Sequence, residues 1–203
     1  MKHLKYFENV NWNDVLHKAT WNGSKKDSNG NKIYDEDFID FDKVKLAIEN
    51  GADPDHCKTL SWAVRMSDFQ TVKYLVQQGA DINYQDNDCK WTPIMTAIGS
   101  KNDHPIHLDM CIFLLDNDAD PTIGNFQGIT ALDLLSHTEL RTATFGYPNV
   151  SKDEQTKMDI ISKHIIDLIL EKHPEKAPKY IDILTPEQKI KLAPYLDAHK
   201  FNI

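Results

Sequence analysis

Val72-Lys73-Tyr74-Leu75-Val76, Gly79-Ala80-Asp81-Ile82-Asn83 and Trp91-Thr92-Pro93-Ile94-Met95-Thr96-Ala97 follow one another within residues 72–97, and their order decides the fold. The first phrase sets apolar side chains at i, i+3 and i+4, the spacing of one helix face. The second stops that helix, with Gly79 and then Asp81-Ile82 turning the chain. The third starts a new short helix, in which Thr92 is a cap and Pro93 takes an early position where its missing N–H costs nothing.

All three phrases recur. Gly51-Ala52-Asp53-Pro54 and Asp118-Ala119-Asp120-Pro121 repeat the turn. Val44-Lys45-Leu46-Ala47-Ile48 and Ile112-Phe113-Leu114-Leu115 repeat the amphipathic run before it. Ile129-Thr130-Ala131-Leu132-Asp133-Leu134-Leu135 repeats the helix start. This pattern resembles the ankyrin repeat, with its T-P-L-H-x-A signature and a period of about 33 residues. The resemblance covers residues 10–173 and includes His17, which matches the motif histidine. It implies an all-α ankyrin-repeat solenoid of four helix-turn-helix repeats joined by short hairpin loops. The expected inner and outer helices are 16–23 and 42–50, 60–64 and 69–78, 94–98 and 108–117, and finally 132–137 with a long helix ending near His173. Leu46, Leu75, Leu114 and Ile166 are expected between repeats.

Departures from the period are informative. Gly51 to Gly79 is 28 residues, and the deficit falls between Pro54 and Thr59, so that hairpin should be stunted. Gly79 to Asp118 is 39 residues. Insertions at 24–39, 99–106 and 138–151 fall at one structural point, the turn between inner and outer helix, and so line one edge of a solenoid. Decoration and an extended binding surface are both open readings of them. The repeat domain is expected to span 1–174. Pro174, Pro178, Pro186 and Pro194 break up the remainder, and Thr185-Pro186-Glu187-Gln188 is a good helix start. A solenoid exposes its last apolar face unless something covers it, so residues 175–203 read as a helical C-terminal cap.

Composition narrows the function. The formal charge is 23 − 31 = −8, with six lysines against four acids over 172–200, which leaves about −10 on residues 1–171. Direct nucleic-acid binding wants a basic stripe and finds none; a basic protein partner is easier to accommodate, although the acids also serve solubility. No apolar run is long enough for a membrane span or a signal peptide, and Cys57, Cys89 and Cys111 are odd in number and widely spaced. These features lead to an expectation of a reducing cytosol, of the chain's own cell or of a host.

Candidate chemistry is thin. His104 and His107 have H-x-x-H spacing, but a metal site needs three or four converging ligands, and Pro105 lies between the two. No metal or cofactor is expected. His56-Cys57 are sequence neighbours, whose side chains point apart, and no third orienting group accompanies them. Cys111 fills an apolar helix position, where an inert buried thiol is the default. The acids of Asp35-Glu36-Asp37-Phe38-Ile39-Asp40-Phe41-Asp42 suit a helix N-terminus. Leu75, Asp81, Ile82 and Asn83 resemble a pattern hydroxylated at Asn in some eukaryotic ankyrin repeats; the simpler reading is that Asn83 satisfies backbone groups in the turn.

The resemblance implies a ligand surface on the concave face, made by hairpins and inner helices. Carried over by position, its variable sites include Trp21, Trp62, Arg65, Met66, Asp88, Lys90, Trp91, Phe126 and Leu134, and the acidic hairpin residues Asp86 and Asp88 are expected on the rim. Trp and Arg are the types enriched at binding hot spots; packing under an insertion or cap is the competing role for these rings. The reading is a non-catalytic protein-binding module that occupies or sequesters a target, as an immunity protein, a pathogen or viral effector, or an anti-defence inhibitor would. A scaffold or assembly subunit is the alternative, and an enzyme the distant one.

Overall fold

A computed structural model describes residues 10–20, 25–26, 32–33, 39–85, 89–99, 107–136, 151–190 and 193–194, with the backbone alone at 25–26, 32–33 and 183. Eight helices are described: α1 (Trp12–Thr20), α2 (Phe41–Glu49), α3 (Thr59–Arg65), α4 (Phe69–Gln77), α5 (Pro93–Ile98), α6 (Leu108–Asp116), α7 (Ala131–Ser136) and α8 (Lys152–Lys172). The first seven have 6 to 9 residues each, too short to stand alone in water, so stacking must hold them. Within each repeat an inner helix packs on an outer one, α1 on α2, α3 on α4 and α5 on α6. Between repeats the inner helices α1, α3, α5 and α7 stack in one layer, while α2 lies against α4 and α6 against α8 in the other. The fold is an all-α ankyrin solenoid. Its first insertion carries a two-residue antiparallel ladder, β1 (Lys25–Lys26) with β2 (Lys32–Ile33).

Local chemistry sets each boundary. The side chains of Asp40 and Asp68 accept the N–H of Lys43 and Thr71 and cap α2 and α4. Thr92 caps α5 with Pro93 in its first turn, and Ser151 and Glu154 form a reciprocal capping box on α8. Gly51 and Gly79 end α2 and α4 with φ of +94° and +86°, the left-handed region that a Cβ disfavours. Behind them the N–H groups of Ala52, Ala80 and Ala119 donate to the carbonyls of Ala47, Leu75 and Leu114. The stunted hairpin takes a definite form: a 3₁₀ turn, His56–Lys58, with Cys57 and Lys58 both at positive φ.

The core is one continuous cluster running through Leu16, Val44, Leu75, Ile94, Leu114, Leu132 and Ile165. Leu75, Leu114 and Ile166 are buried as expected, but Leu46 is 46% exposed. The reason is register. Counting back four residues from the turn, Leu75 precedes Gly79 and Leu114 precedes Asp118, so the matching residue before Gly51 is Ala47, which is fully buried. Leu46 instead aligns with Tyr74 and Phe113 on the outer surface. There the outer helices touch edge to face through Phe41–Tyr74 and Phe69–Phe113, at centroid distances of 5.6 and 5.4 Å.

Polar joints repeat between units. The side-chain oxygen of Asn13 accepts the N–H of Asp53, that of Asp55 accepts the N–H of Asp81, and that of Asn83 accepts the N–H of Asp120, at 2.7 to 2.8 Å. Each donating N–H belongs to the Asp of a turn, and the carboxylate of each such Asp also folds its own hairpin by accepting the N–H two residues on. Asn83 adds a second bond, from its amide to the carbonyl of Asp118. Backbone satisfaction, extended to the neighbouring repeat, is thus what Asn83 does.

The fourth turn breaks this rule. Its helix cap is His173, and the next residue is Pro174, which has no N–H to give. The chain passes into a 3₁₀ segment, Pro174–Ile183, then a helical turn at 186–190. Ala177, Tyr180 and Leu184 join the core, and Gln188 bonds Asp167 of α8.

Candidate protein-binding face

On α3, Thr59, Leu60, Ala63 and Val64 are buried, which turns Trp62 and Arg65 outward one helical turn apart. The Arg65 guanidinium lies over the Trp62 ring, 5.3 Å from its centroid. This cation–π contact holds two long side chains in one place before any partner arrives. Met66, the helix cap, is half-buried and packs on the core.

The next two hairpins are tied to each other. Gln85 donates from its amide to the carbonyls of Lys90 and Gly124, at 2.8 and 3.0 Å. Phe126 N–H donates to the Cys89 carbonyl. Asn125, buried, closes the second tip by accepting the N–H of Gln127 and of Ile129, while Gly128 takes positive φ. Phe126 therefore sits on a well-braced turn with its ring 65% exposed. Lys90 is exposed and itself left-handed, at φ +57°.

Trp62, Arg65, Lys90 and Phe126 are outward-facing or half-exposed on consecutive inner-layer units. Trp21, Asp86 and Asp88 lie outside the described residues. Two positions depart from the expectation of free surface. Trp91 is half-buried and packs against the core beside Thr92, because the residue before the helix cap is drawn under its neighbours. Leu134 is 1% exposed, as α7 sits between α5 and α8 where the array closes and its inner face is covered. Gln85 and Asn125 escaped the sequence reading; the Asn125-Phe126-Gln127-Gly128 turn signature could have revealed the second, but nothing local marks the reach of Gln85.

Reactive groups offer little. Burial pushes the Cys111 thiol up to about 12, so it stays protonated. Cys57 and Cys89 are exposed. His107 caps α6 without a side-chain bond to its backbone, and His104 lies outside the described residues. Among the described residues no group of His, Cys, Asp and Glu converges as metal ligands would, and no helix is long and apolar enough to cross a membrane.

Stacked helix pairs with braced hairpins and outward aromatic and cationic side chains define a repeat solenoid of the protein-binding class. Residues 60–115 match the family described as ankyrin repeats (many copies). The chain carries ankyrin repeats over this stretch. It is 34% identical over 101 residues to the BTB/POZ domain and ankyrin repeat-containing protein NBCL of Lotus japonicus, and 35% identical over 101 residues to regulatory protein NPR5 of Arabidopsis thaliana. Each match takes 49% of this chain and 20% of the relative. Palmitoyltransferase ZDHHC13 of Mus musculus is 32% identical over 99 residues, 46% of this chain and 15% of that protein. The chain thus spans a fifth or less of the length of these relatives. Ankyrin repeats are protein–protein interaction modules and are generally non-catalytic.

Proposed function

We propose that this protein acts without catalysis, by gripping one target protein and occupying a site on it. The observation that supports this best is the Trp62–Arg65 pair followed by Lys90 and Phe126 on adjoining units. A large ring offers much apolar contact for little lost side-chain entropy, and Arg65 adds planar hydrogen-bond donors. Trp21, Met66, Asp86, Asp88 and Trp91 extend the same face in this reading, with Trp91 acting partly through its packing.

The acidic total of −8 favours a partner with a basic surface, steered at long range, while Arg65 and Lys90 call for acceptors at close range. Inhibition of the immunity, effector or anti-defence kind is the role proposed, in the cytoplasm of the producing or a host cell. In the same reading, residues 1–174 are the binding domain and 175–203 its C-terminal cap. Affinity capture from the native source, followed by an activity assay of the captured protein, tests this. One stoichiometric partner whose activity is blocked is the expected result; several partners with unchanged activities would replace inhibitor by scaffold.

A further inference from the structure

The end of the array is fastened differently from its joints. Repeats one to four meet through buried Leu, Ile and Val side chains. Among the described residues of the closing segment, only Ala177, Tyr180 and Leu184 contribute comparable apolar burial. Its remaining attachments are mostly polar and charged. Lys172, at the end of α8, pairs with Asp118, and within the segment Lys179 pairs with Asp133 at 2.8 Å. Lys176 bonds the Thr122 hydroxyl at 2.6 Å and stands 3.9 Å from Asp120, which His173 also approaches at 4.0 Å. Tyr180 shares a hydrogen bond with Thr130.

Register explains why charge takes over. Three residues beyond the helix caps Asn50, Gln78 and Asn117 stand Asp53, Asp81 and Asp120, whose N–H groups are held by side chains of the preceding unit. Three beyond the cap His173 stands Lys176. Pro174 has prevented the usual turn, so the backbone bond is gone and a lysine side chain reaches Thr122 in its place. Within 173–184 Lys176 and Lys179 are balanced by Glu175 and Asp182, so the attraction is local, between these two lysines and the acids of the fourth repeat.

We propose that residues 173–184 form an electrostatic clasp on the fourth repeat, which opens as a unit at raised ionic strength while the repeats beneath it stay folded. Open, it would uncover the cleft of about 460 Å³ between the hairpin at 120–130 and the segment, at Thr122, Gly124, Gly128 and Thr130, and lengthen the free inner surface by one unit. The use of that added surface rests on the binding-face reading above; the clasp itself does not. The physical basis is that the lysine ends of these pairs are about half exposed, so mobile ions compete for them although Asp120 and Asp133 are only 24% and 14% exposed, while the apolar joints between the repeats beneath are left intact. A 3₁₀ run interrupted by Pro178 adds little stability of its own.

Hydrogen exchange on the full chain tests the clasp, comparing sodium chloride at about 0.02 M and about 1 M, where the screening length falls from above 10 Å to about 3 Å. Amides of 173–184 should exchange about tenfold faster at high salt, as expected for several weak pairs lost together, while those of α3 to α6 should change less than about twofold. A Lys176→Gln/Lys179→Gln variant should show the fast exchange already at low salt and lose the salt response. Salt-insensitive exchange of 173–184, equal loosening of the repeats, or a variant as protected as the parent would each overturn the proposal. Because the readout is protection within this chain, its failure leaves the binding-face reading standing, and failure of that reading leaves the clasp.

Discussion

Replacing Asn83 by Ala severs the joint between the second and third units at one side chain. Asn83 Oδ1 accepts the Asp120 N–H at 2.7 Å, and its amide donates to the Asp118 carbonyl at 3.2 Å. A net hydrogen bond contributes about 0.5–1.5 kcal/mol, and a partly buried donor left alone adds a penalty of about 1–3 kcal/mol. The Asp120 N–H is only part-buried and water reaches it in the variant, so the loss should come to about 1–3 kcal/mol. In a chain of this size that lowers the melting point by roughly 2–4 °C per kcal/mol. The comparison variant is Asn83→Asp. It keeps the acceptor for Asp120 but presents an anion to the Asp118 carbonyl and sits beside Asp81, so it should recover only part of the loss. Urea unfolding followed by circular dichroism gives the magnitude, and hydrogen exchange at Asp120 gives the location. Stability within about 0.5 kcal/mol of the parent, with Asp120 still protected, would refute the reading of Asn83 as a joint residue.

Further outcomes follow from burial and backbone. Leu75→Ala should destabilise by about 2–5 kcal/mol, because Leu75 is fully buried, whereas Leu46→Ala should stay within about 0.5 kcal/mol; equal effects in thermal denaturation would return the register to the one read from sequence. Gly79→Ala should cost about 1–2 kcal/mol, since a Cβ there meets open space and the whole penalty is the +86° φ; an unchanged urea midpoint would deny that strain. Desolvation, with the charges of Asp53 and Asp81, raises the Asp55 carboxyl above its usual range despite the bond from Asp81 N–H. A raised carboxylate disfavours the folded state above its unfolded value of 3.8 and stops doing so as pH falls. Asp55→Asn keeps the acceptor without the charge, so stability at neutral pH should rise or hold, and a clear fall would contradict this.

The fold was legible because each repeat announces its own ends. Gly79, Thr92 and Pro93 act through local backbone chemistry, which a sequence displays directly. Leu46 was misjudged because two adjacent apolar residues both satisfy helical spacing, and only the count from the turn separates Leu46 from Ala47. The binding face was legible in part. Trp62 and Arg65 lie on an outward helix face that periodicity defines, and Phe126 rides on a turn that Asn125 and Gly128 mark. The half-burial of Trp91 and the full burial of Leu134 were not legible, since what covers them comes from neighbouring elements. The bonds of Gln85 to Gly124 and of Tyr180 to Thr130 span 39 and 50 residues, distances over which no local pattern speaks.

The most direct test of the central claim is the affinity of the captured partner for a Trp62→Ala/Arg65→Ala/Phe126→Ala variant, set beside Leu46→Ala on the opposite surface. Helix content and melting point should be near those of the parent for both, because none of these side chains belongs to the buried core. The triple variant should lose binding worth about 2 kcal/mol or more, and Leu46→Ala should lose none. A folded triple variant that binds as tightly as the parent would contradict the claim and move the interface off the inner face, to the edge that carries the three insertions.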